Sequence, residues 1–358
     1  MCRLKSLLIT VFIFLAFAPG IALAGEVKAF VPEKPWQITI NLNDFEPWDL
    51  LGAKTIFGGS TKNGITITII VEKTKPGTKP DEIRKVYGYQ TALNFGKKET
   101  IEEIDVNDIA IIAYKWAEPN IPNLNEQELD WAKNTVKNRW GYHGYVVKDD
   151  IAFDIHLSAD MTKHAKKEML DIIKSFQIKP STESEECKKL YESLDENISS
   201  EEKEKLLRDF IKKYPTNPEA QFFMGEYYLK TKELKQAKSA YLQALANHKT
   251  QPFIHPTILF SCYDGAGMSC GMLGEYELSK KYLECGYKLA KNIDEPQVIF
   301  LSAYNLACLY AETNDVQNSI KYLTEAVELN PESKEEAKQD SSFTNIKEDQ
   351  RFKNLIYK

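Results

Sequence analysis

The chain has 358 residues, 43% of them hydrophobic, and its 46 basic and 52 acidic side chains leave a net charge of −6. That apolar content supports packed cores and excludes wholesale disorder. Basic residues are scattered among acidic ones rather than gathered into a stripe, which argues against a nucleic-acid partner.

The first residues carry a targeting pattern. Arg3 and Lys5 precede an apolar stretch from Leu7 to Ala18, and Ala22-Leu23-Ala24 stands before Gly25. Together they predict a signal peptide over 1–24, cut between Ala24 and Gly25, and hence a periplasmic or secreted protein, with an uncleaved N-terminal anchor as the alternative. The apolar run is shorter than the roughly 20 residues of a spanning helix, so no integral membrane segment is expected after cleavage. Gly25 rather than Cys follows the cut, against lipoprotein processing. Of six cysteines, Cys2 leaves with the signal; Cys187, Cys262, Cys270, Cys285 and Cys308 remain. An odd number leaves at least one thiol without a partner in the chain. No Cys-x-x-Cys pair is present, against a thioredoxin-like or zinc-knuckle site. A 262–285 or 270–285 disulfide and small buried residues at helix contacts both fit the spacing.

Residues 27–178 read as mixed structure. Trp36-Gln37-Ile38-Thr39-Ile40 and Ile65-Thr66-Ile67-Thr68-Ile69-Ile70-Val71 interleave apolar and β-branched side chains, which predicts strands. Gly58-Gly59-Ser60-Thr61-Lys62-Asn63-Gly64 predicts a hairpin loop between two strands. It is no phosphate loop, because that motif ends Gly-Lys-Ser/Thr and opens a helix, whereas this one opens a strand. Further strands are predicted over 109–116, 142–147 and 151–157, with Lys148-Asp149-Asp150 turning between the last two. Helices are predicted over 79–95, 126–138 and 163–175, the last with Ala165, Met169, Ile172, Ile173 and Phe176 on one face. Mostly antiparallel strands with covering helices make 25–178 an α+β domain.

The order of these elements is similar to PsbP-like domains, named for an extrinsic photosystem II protein. The strand Phe153-Asp154-Ile155-His156-Leu157 leads to a helix that ends Ile172-Ile173-Lys174-Ser175-Phe176-Gln177-Ile178, and Pro35-Trp36 and the 65–71 strand also fit. Members of that fold are generally non-enzymatic accessory or assembly proteins, which is what the resemblance implies here.

Lys179-Pro180-Ser181-Thr182-Glu183-Ser184 predicts a linker over 179–184, after which the pattern is helical to the end. One arrangement of small and aromatic residues then recurs between Pro218 and Pro331. Met224-Gly225 is followed by Tyr228, Ala237, Tyr241 and Ala244. Ala266-Gly267 is followed by Cys270, Gly274, Ser279, Leu283 and Gly286, and Leu306-Ala307 by Tyr310, Ser319, Leu323 and Ala326. Residues 184–217 have the 34-residue length of one unit and form a degenerate first copy. The middle copy starts about 40 residues after its predecessor, so Gln251-Pro252-Phe253-Ile254-His255-Pro256 marks a lengthened connection or helix extension.

These hairpins closely resemble tetratricopeptide repeats, in which small residues let helix A approach helix B and large ones fill the space beside them. The resemblance implies an all-α repeat solenoid of three to four units over 184–333. Residues 334–358 would cap it through Phe343, Ile346, Phe352, Leu355 and Ile356. It also implies a concave groove lined from helix A. The lining is Glu219, Phe222, Glu226, Leu229 and Lys230, then Ser261, Asp264, Met268, Gly271 and Met272, then Leu301, Tyr304, Cys308, Ala311 and Glu312. Leu301 and Tyr304 fit packing between repeats equally well. Such a groove suits an apolar or basic peptide. The family's carboxylate clamp is not reproduced, because Phe222, Asp264 and Tyr304 replace its Lys.

Five histidines, His143, His156, His164, His248 and His255, are the remaining candidates for chemistry. Asp154 and His156 alternate on one strand and face away from Phe153, Ile155 and Leu157. With Asp160 and His164 they fit a metal or proton-transfer site at the strand-to-helix junction. Asp160-Met161-Thr162 fits a helix N-cap turn as well. No Gly-x-Ser-x-Gly, His-Glu-x-x-His or dinucleotide fingerprint occurs. The sequence thus predicts an exported, non-enzymatic two-domain scaffold that binds a protein or peptide, with no cofactor and no metal. The alternatives are an enzyme or a small-ligand or metal-binding protein with a site near Asp154 and His156, and a spacer whose groove binds nothing.

Overall fold

The structure is a computed structural model that describes residues 23–30, 36–47, 55–61, 63–116, 139–160, 162–195, 198–249, 251 and 256–357. The signal segment up to Ala22, Pro35, the helix expected over 126–138 and residues 252–255 of the lengthened connection lie outside the described residues.

The first part is an antiparallel sheet. Its strands are β1 (Leu23–Phe30), β2 (Trp36–Pro47), β3 (Thr55–Thr61), β4 (Thr66–Lys73), β5 (Glu102–Val106), β6 (Ile109–Lys115), β7 (Arg139–Lys148), β8 (Ile151–Asp160) and β9 (Gln177–Pro180). They run in the order β1-β2-β3-β4-β8-β7-β6-β5, with β9 also on β2. The β7–β8 hairpin turns at Asp149 and Asp150, both left-handed at φ 49° and 63°, the tight-turn geometry that Asp tolerates. Trp36 Nε1 donates to Asp149 Oδ2 at 2.7 Å and ties β2 to that turn.

Alternation gives the sheet two different faces. Ile67, Ile69, Phe153, Ile155, Leu157 and Ile111 point to one and are buried under α3 (Lys163–Ser175), whose Met169, Ile172, Ile173 and Phe176 complete the core. Thr162 caps α3, its hydroxyl accepting from the Ala165 amide at 3.0 Å. The other face carries Ile112, Tyr114, Tyr145 and Ala152 against α1 (Pro80–Ile83), a wider π-helical turn Arg84–Gly88, and α2 (Tyr89–Phe95). The helix expected over 79–95 is therefore present but widened in its middle.

Two other expectations change. Gly58 to Thr61 are not loop: Gly58, Gly59 and Ser60 pair with Thr68, Ile67 and Thr66, so β3 runs to Thr61 and the turn is shorter. Glycine is tolerated in extended backbone when a neighbouring strand supplies the ladder. Residues 179 and 180 belong to β9, with Trp36 opposite Pro180 and Ile38 opposite Ile178, and α4 (Thr182–Asp195) starts two residues later. The polar composition of 179–184 reflects a strand end and a helix N-terminus, Ser181 Oγ accepting from the Ser184 amide at 3.1 Å.

From α4 onward the chain is helical: α5 (Ser200–Lys213), α6 (Pro218–Lys230), α7 (Leu234–His248), α8 (Pro256–Met272), α9 (Tyr276–Ile293), α10 (Pro296–Glu312), α11 (Val316–Leu329), α12 (Ser333–Gln339), a 3₁₀ turn Ser341–Ile346, and α13 (Gln350–Tyr357). Three hairpins turn identically. Lys232, Gly274 and Asn314 are left-handed at φ 63°, 76° and 60°. The next amide, of Glu233, Glu275 or Asp315, returns to the carbonyl of Tyr228, Cys270 or Tyr310 at 2.8 to 2.9 Å. Part of the added length of the middle unit is helix, α8 having 17 residues and α9 18 against 13 in α6 and 15 in α7, and the segment between His248 and Pro256 is itself longer than that between Lys213 and Pro218.

Glycines set the helix spacing. Tyr241 is fully buried between Gly225 of α6 and Gly265 of α8, and an added Cβ would stand 2.8 and 2.4 Å from its ring. The five cysteines are all thiols, buried or partly buried at helix contacts, which removes both disulfide alternatives. Phe343, Ile346, Phe352 and Ile356 are buried against Ala307, Leu323 and Ala337, closing the end of the array.

Candidate functional site

The first helices of three hairpins, α6, α8 and α10, carry the expected groove residues, but the environments of these residues differ. Glu219 is 5% exposed and lies against α4, where Cys187 Sγ and Tyr191 Oη donate to its carboxylate. It packs between helices and does not line an open groove; burial raises its pKa, and those two donors partly offset the rise. Phe222 is half-buried among Phe223 and Tyr241, with ring centroids 5.1 and 6.3 Å away. Leu229 is likewise partly buried in that core. Tyr304 and Cys308 turn to the cap, donating to Asp340 Oδ2 at 3.2 and 3.6 Å.

The open part of the face surrounds α8. Glu226 is exposed and accepts from Tyr241 Oη at 2.5 Å. Asp264 accepts from Asn305 Nδ2 at 3.0 and 2.9 Å, and Met268 Sδ lies 3.7 Å from the same nitrogen. Burial pushes Asp264 up to about 7; the Asn305 hydrogen bond opposes the rise and the Glu226 charge adds to it. Met272 and Leu301 are 60% and 42% exposed, and Lys230 is exposed at the end of α6. Asn305, one residue beyond the expected Tyr304, and Tyr241, on the second helix of its hairpin, belong to this site as well. The helix-A offsets alone point to neither.

Charge is arranged unevenly. Lys238 pairs with Glu275 at 2.7 Å, Lys291 with Glu325 at 2.9 Å and Arg208 with Glu204 at 2.6 Å. Among the described residues, no Lys or Arg nitrogen lies within 4 Å of the carboxylates of Glu219, Glu226, Asp264, Glu312 or Asp340. Glu312 is also raised, by burial and by Asp340.

The sheet holds a second cluster. His143 and His156 lie on paired strands and stack face to face, 4.2 Å apart and 4° from parallel. Both nitrogens of His143 are engaged, Nδ1 with Asp154 Oδ1 at 3.0 Å and Nε2 with Tyr114 Oη at 3.0 Å. His156 Nδ1 is 3.5 Å from Thr68 Oγ1, and its Nε2 is buried with no hydrogen-bond partner. Burial, then the neighbouring His143 and Arg139, holds His156 well below the usual histidine range. Asp160 is exposed at the end of β8, opposite Arg139. His164 is exposed on α3, on the other side of the sheet, in a cleft of about 390 Å³ with Asn41, Lys167, Glu168, Asp171 and Ser175. The four residues expected to form one metal or proton-transfer site are therefore divided between two faces. Among the described residues no group of three or more His, Cys, Asp or Glu is placed to hold a metal ion.

The helical hairpins and their small-residue contacts have a counterpart among known families. The family model for the tetratricopeptide repeat matches residues 218–246 and 302–333. The C-terminal region carries tetratricopeptide repeats. The two matched repeats are α6–α7 and α10–α11, and the hairpin α8–α9 between them has the same turn. No curated protein matches the sequence. The solution structure of cyanobacterial PsbP (CyanoP) from Synechocystis sp. PCC 6803 aligns with 46% of this chain and 99% of its own, at 10% identity and TM-score 0.29. A crystal structure from Bacteroides thetaiotaomicron VPI-5482 aligns with 63% of this chain and 78% of its own, at 11% identity and TM-score 0.32. Likeness of that order carries no argument about function. Among the described residues no helix is long and apolar enough to cross a membrane.

Proposed function

We propose that the protein is an exported, non-enzymatic scaffold whose repeats hold a protein or peptide partner during assembly or maintenance of an envelope complex. The supporting observation is that Met272 at the end of α8 and Leu301 on α10 are exposed apolar side chains on the same run of first helices that carries Glu226 and Asp264. Large apolar side chains exposed on helices that also carry hydrogen-bonding groups favour an interaction surface. In the sheet, the polar atoms of Tyr114, His143 and Asp154 are spent on one another, an arrangement that suits a structural network.

The test is affinity capture from the envelope fraction of the source cell, with Met272→Gln and Leu301→Gln as paired variants. Both side chains are exposed enough that the fold should be unchanged, and both should lose the captured partner. Capture indifferent to both changes would reject the groove.

A further inference from the structure

The face around α8 presents two kinds of surface. Met268, Met272 and Leu301 give it apolar area, the last two largely exposed. Glu226 and Asp264 stand on this face without a cation, whereas Glu204, Glu275 and Glu325 elsewhere in the array are paired with arginine or lysine. Tyr241 and Asn305, both neutral, are the groups that hold the two carboxylates. The charge of Glu226 bears on Asp264. Lys230 is on the same face one turn from Glu226, but it makes no ion pair with it among the described residues.

A carboxylate that is partly desolvated without a counter-charge is a standing cost, which an incoming cation offsets. The long stem of a Lys or Arg side chain prefers apolar surface while its head seeks an acceptor. A thioether beside a carboxylate accommodates both ends.

We infer that the α8 face is built for a partner segment with apolar and basic side chains, one Lys or Arg head entering between Glu226 and Asp264 with its stem along Met268. This rests on the groove reading above and deepens it by naming the chemistry of the occupant. Flanking apolar residues of the segment cover Met272 and Leu301. An acidic segment is rejected by the same carboxylates.

The probes are three fluorescein-labelled peptides of alternating leucine with lysine, glutamine or glutamate, titrated with the purified protein and followed by anisotropy. The leucine–lysine peptide should bind at least about tenfold more tightly than the glutamine peptide, and the glutamate peptide not at all. Glu226→Gln and Asp264→Asn should each remove about tenfold of the lysine peptide's affinity and leave the glutamine peptide unaffected. Glu277→Gln, the same charge change on the exposed start of α9, should leave all three unaltered, which separates a local contact from attraction to an acidic protein. Equal binding of the lysine and glutamine peptides overturns the inference. So does a loss in Glu277→Gln equal to that in Asp264→Asn. Met272→Gln and Leu301→Gln distinguish the two levels. If they weaken every peptide while the carboxylate variants change nothing, the groove stands and the cation contact falls. If they too change nothing, both fall.

Discussion

Replacing Gly267 by alanine tests the helix packing on which the repeat surface depends. The added Cβ would stand 2.6 and 2.7 Å from Cγ and Cδ2 of Leu283, and 3.2 Å from its backbone nitrogen. Leu283 is 3% exposed and locked among Leu306, Leu309 and Tyr310, so it has little room to yield. Overpacking of this kind costs about 1–3 kcal/mol. Alanine returns about 0.5–1 kcal/mol through its better helix propensity, which leaves a net loss on the order of 1–2 kcal/mol. Gly286→Ala is the internal control. Its Cβ would meet nothing closer than 3.5 Å, so only the propensity gain remains and the variant should be stabilised by about 0.5–1 kcal/mol. Urea unfolding followed by circular dichroism at 222 nm reads the helices. All five tryptophans precede residue 141, so their fluorescence follows the sheet separately. If Gly267→Ala is neutral or stabilising, α8 and α9 do not approach as closely as described and the spacing argument fails.

Three further outcomes follow from buried polar groups. Burial lowers His248 to about 3, so in acid the unfolded chain takes up a proton that the folded one refuses. Stability should then fall by about 1.4 kcal/mol per pH unit below about 6.5, and His248→Gln should flatten that slope in unfolding curves at pH 7 and 5. Asp264 behaves oppositely: its pKa rises from 3.8 to about 7, so its contribution is present in acid and lost as pH climbs through that window. The stability of Asp264→Asn relative to the parent should grow between pH 4 and 7 and then level off; a flat difference rejects the assignment. Asn217, 1% exposed, caps α6 through the Ala220 amide at 2.9 Å and donates to Glu183 at 3.0 Å. Asn217→Ala should cost about 1–2 kcal/mol in the same urea assay, and a change below a few tenths would exclude the cap.

Elements with a strong internal period were legible from the chain alone. The α3 helix has the limits expected of it because its apolar spacing and the Thr162 cap agree. The hairpins were legible because close helix contacts demand small residues at fixed offsets. The strands β1, β5 and β9 were not, since each is defined by its partner rather than by its own pattern; β9 pairs only four residues. The residues expected to line the groove differ widely in exposure. At its ends neighbouring segments cover what the offsets would leave open: α4 over Glu219, and the cap over Tyr304 and Cys308. Around α8 and the facing parts of α6 and α10 the face stays accessible. The histidine pair was missed as a pair, because His143 and His156 meet through strand register, which a single chain does not display.

The direct passage from β9 into α4 bears on how the protein can be divided. A fragment ending at residue 178 loses Lys179 and Pro180 from the ladder, leaving Trp36 and Gln37 without partners on that side. An opened strand border of this kind recruits a second copy through its own backbone groups. The sheet prepared without its repeats should therefore self-associate, whereas a fragment carried through α4 keeps the border covered and stays dispersed.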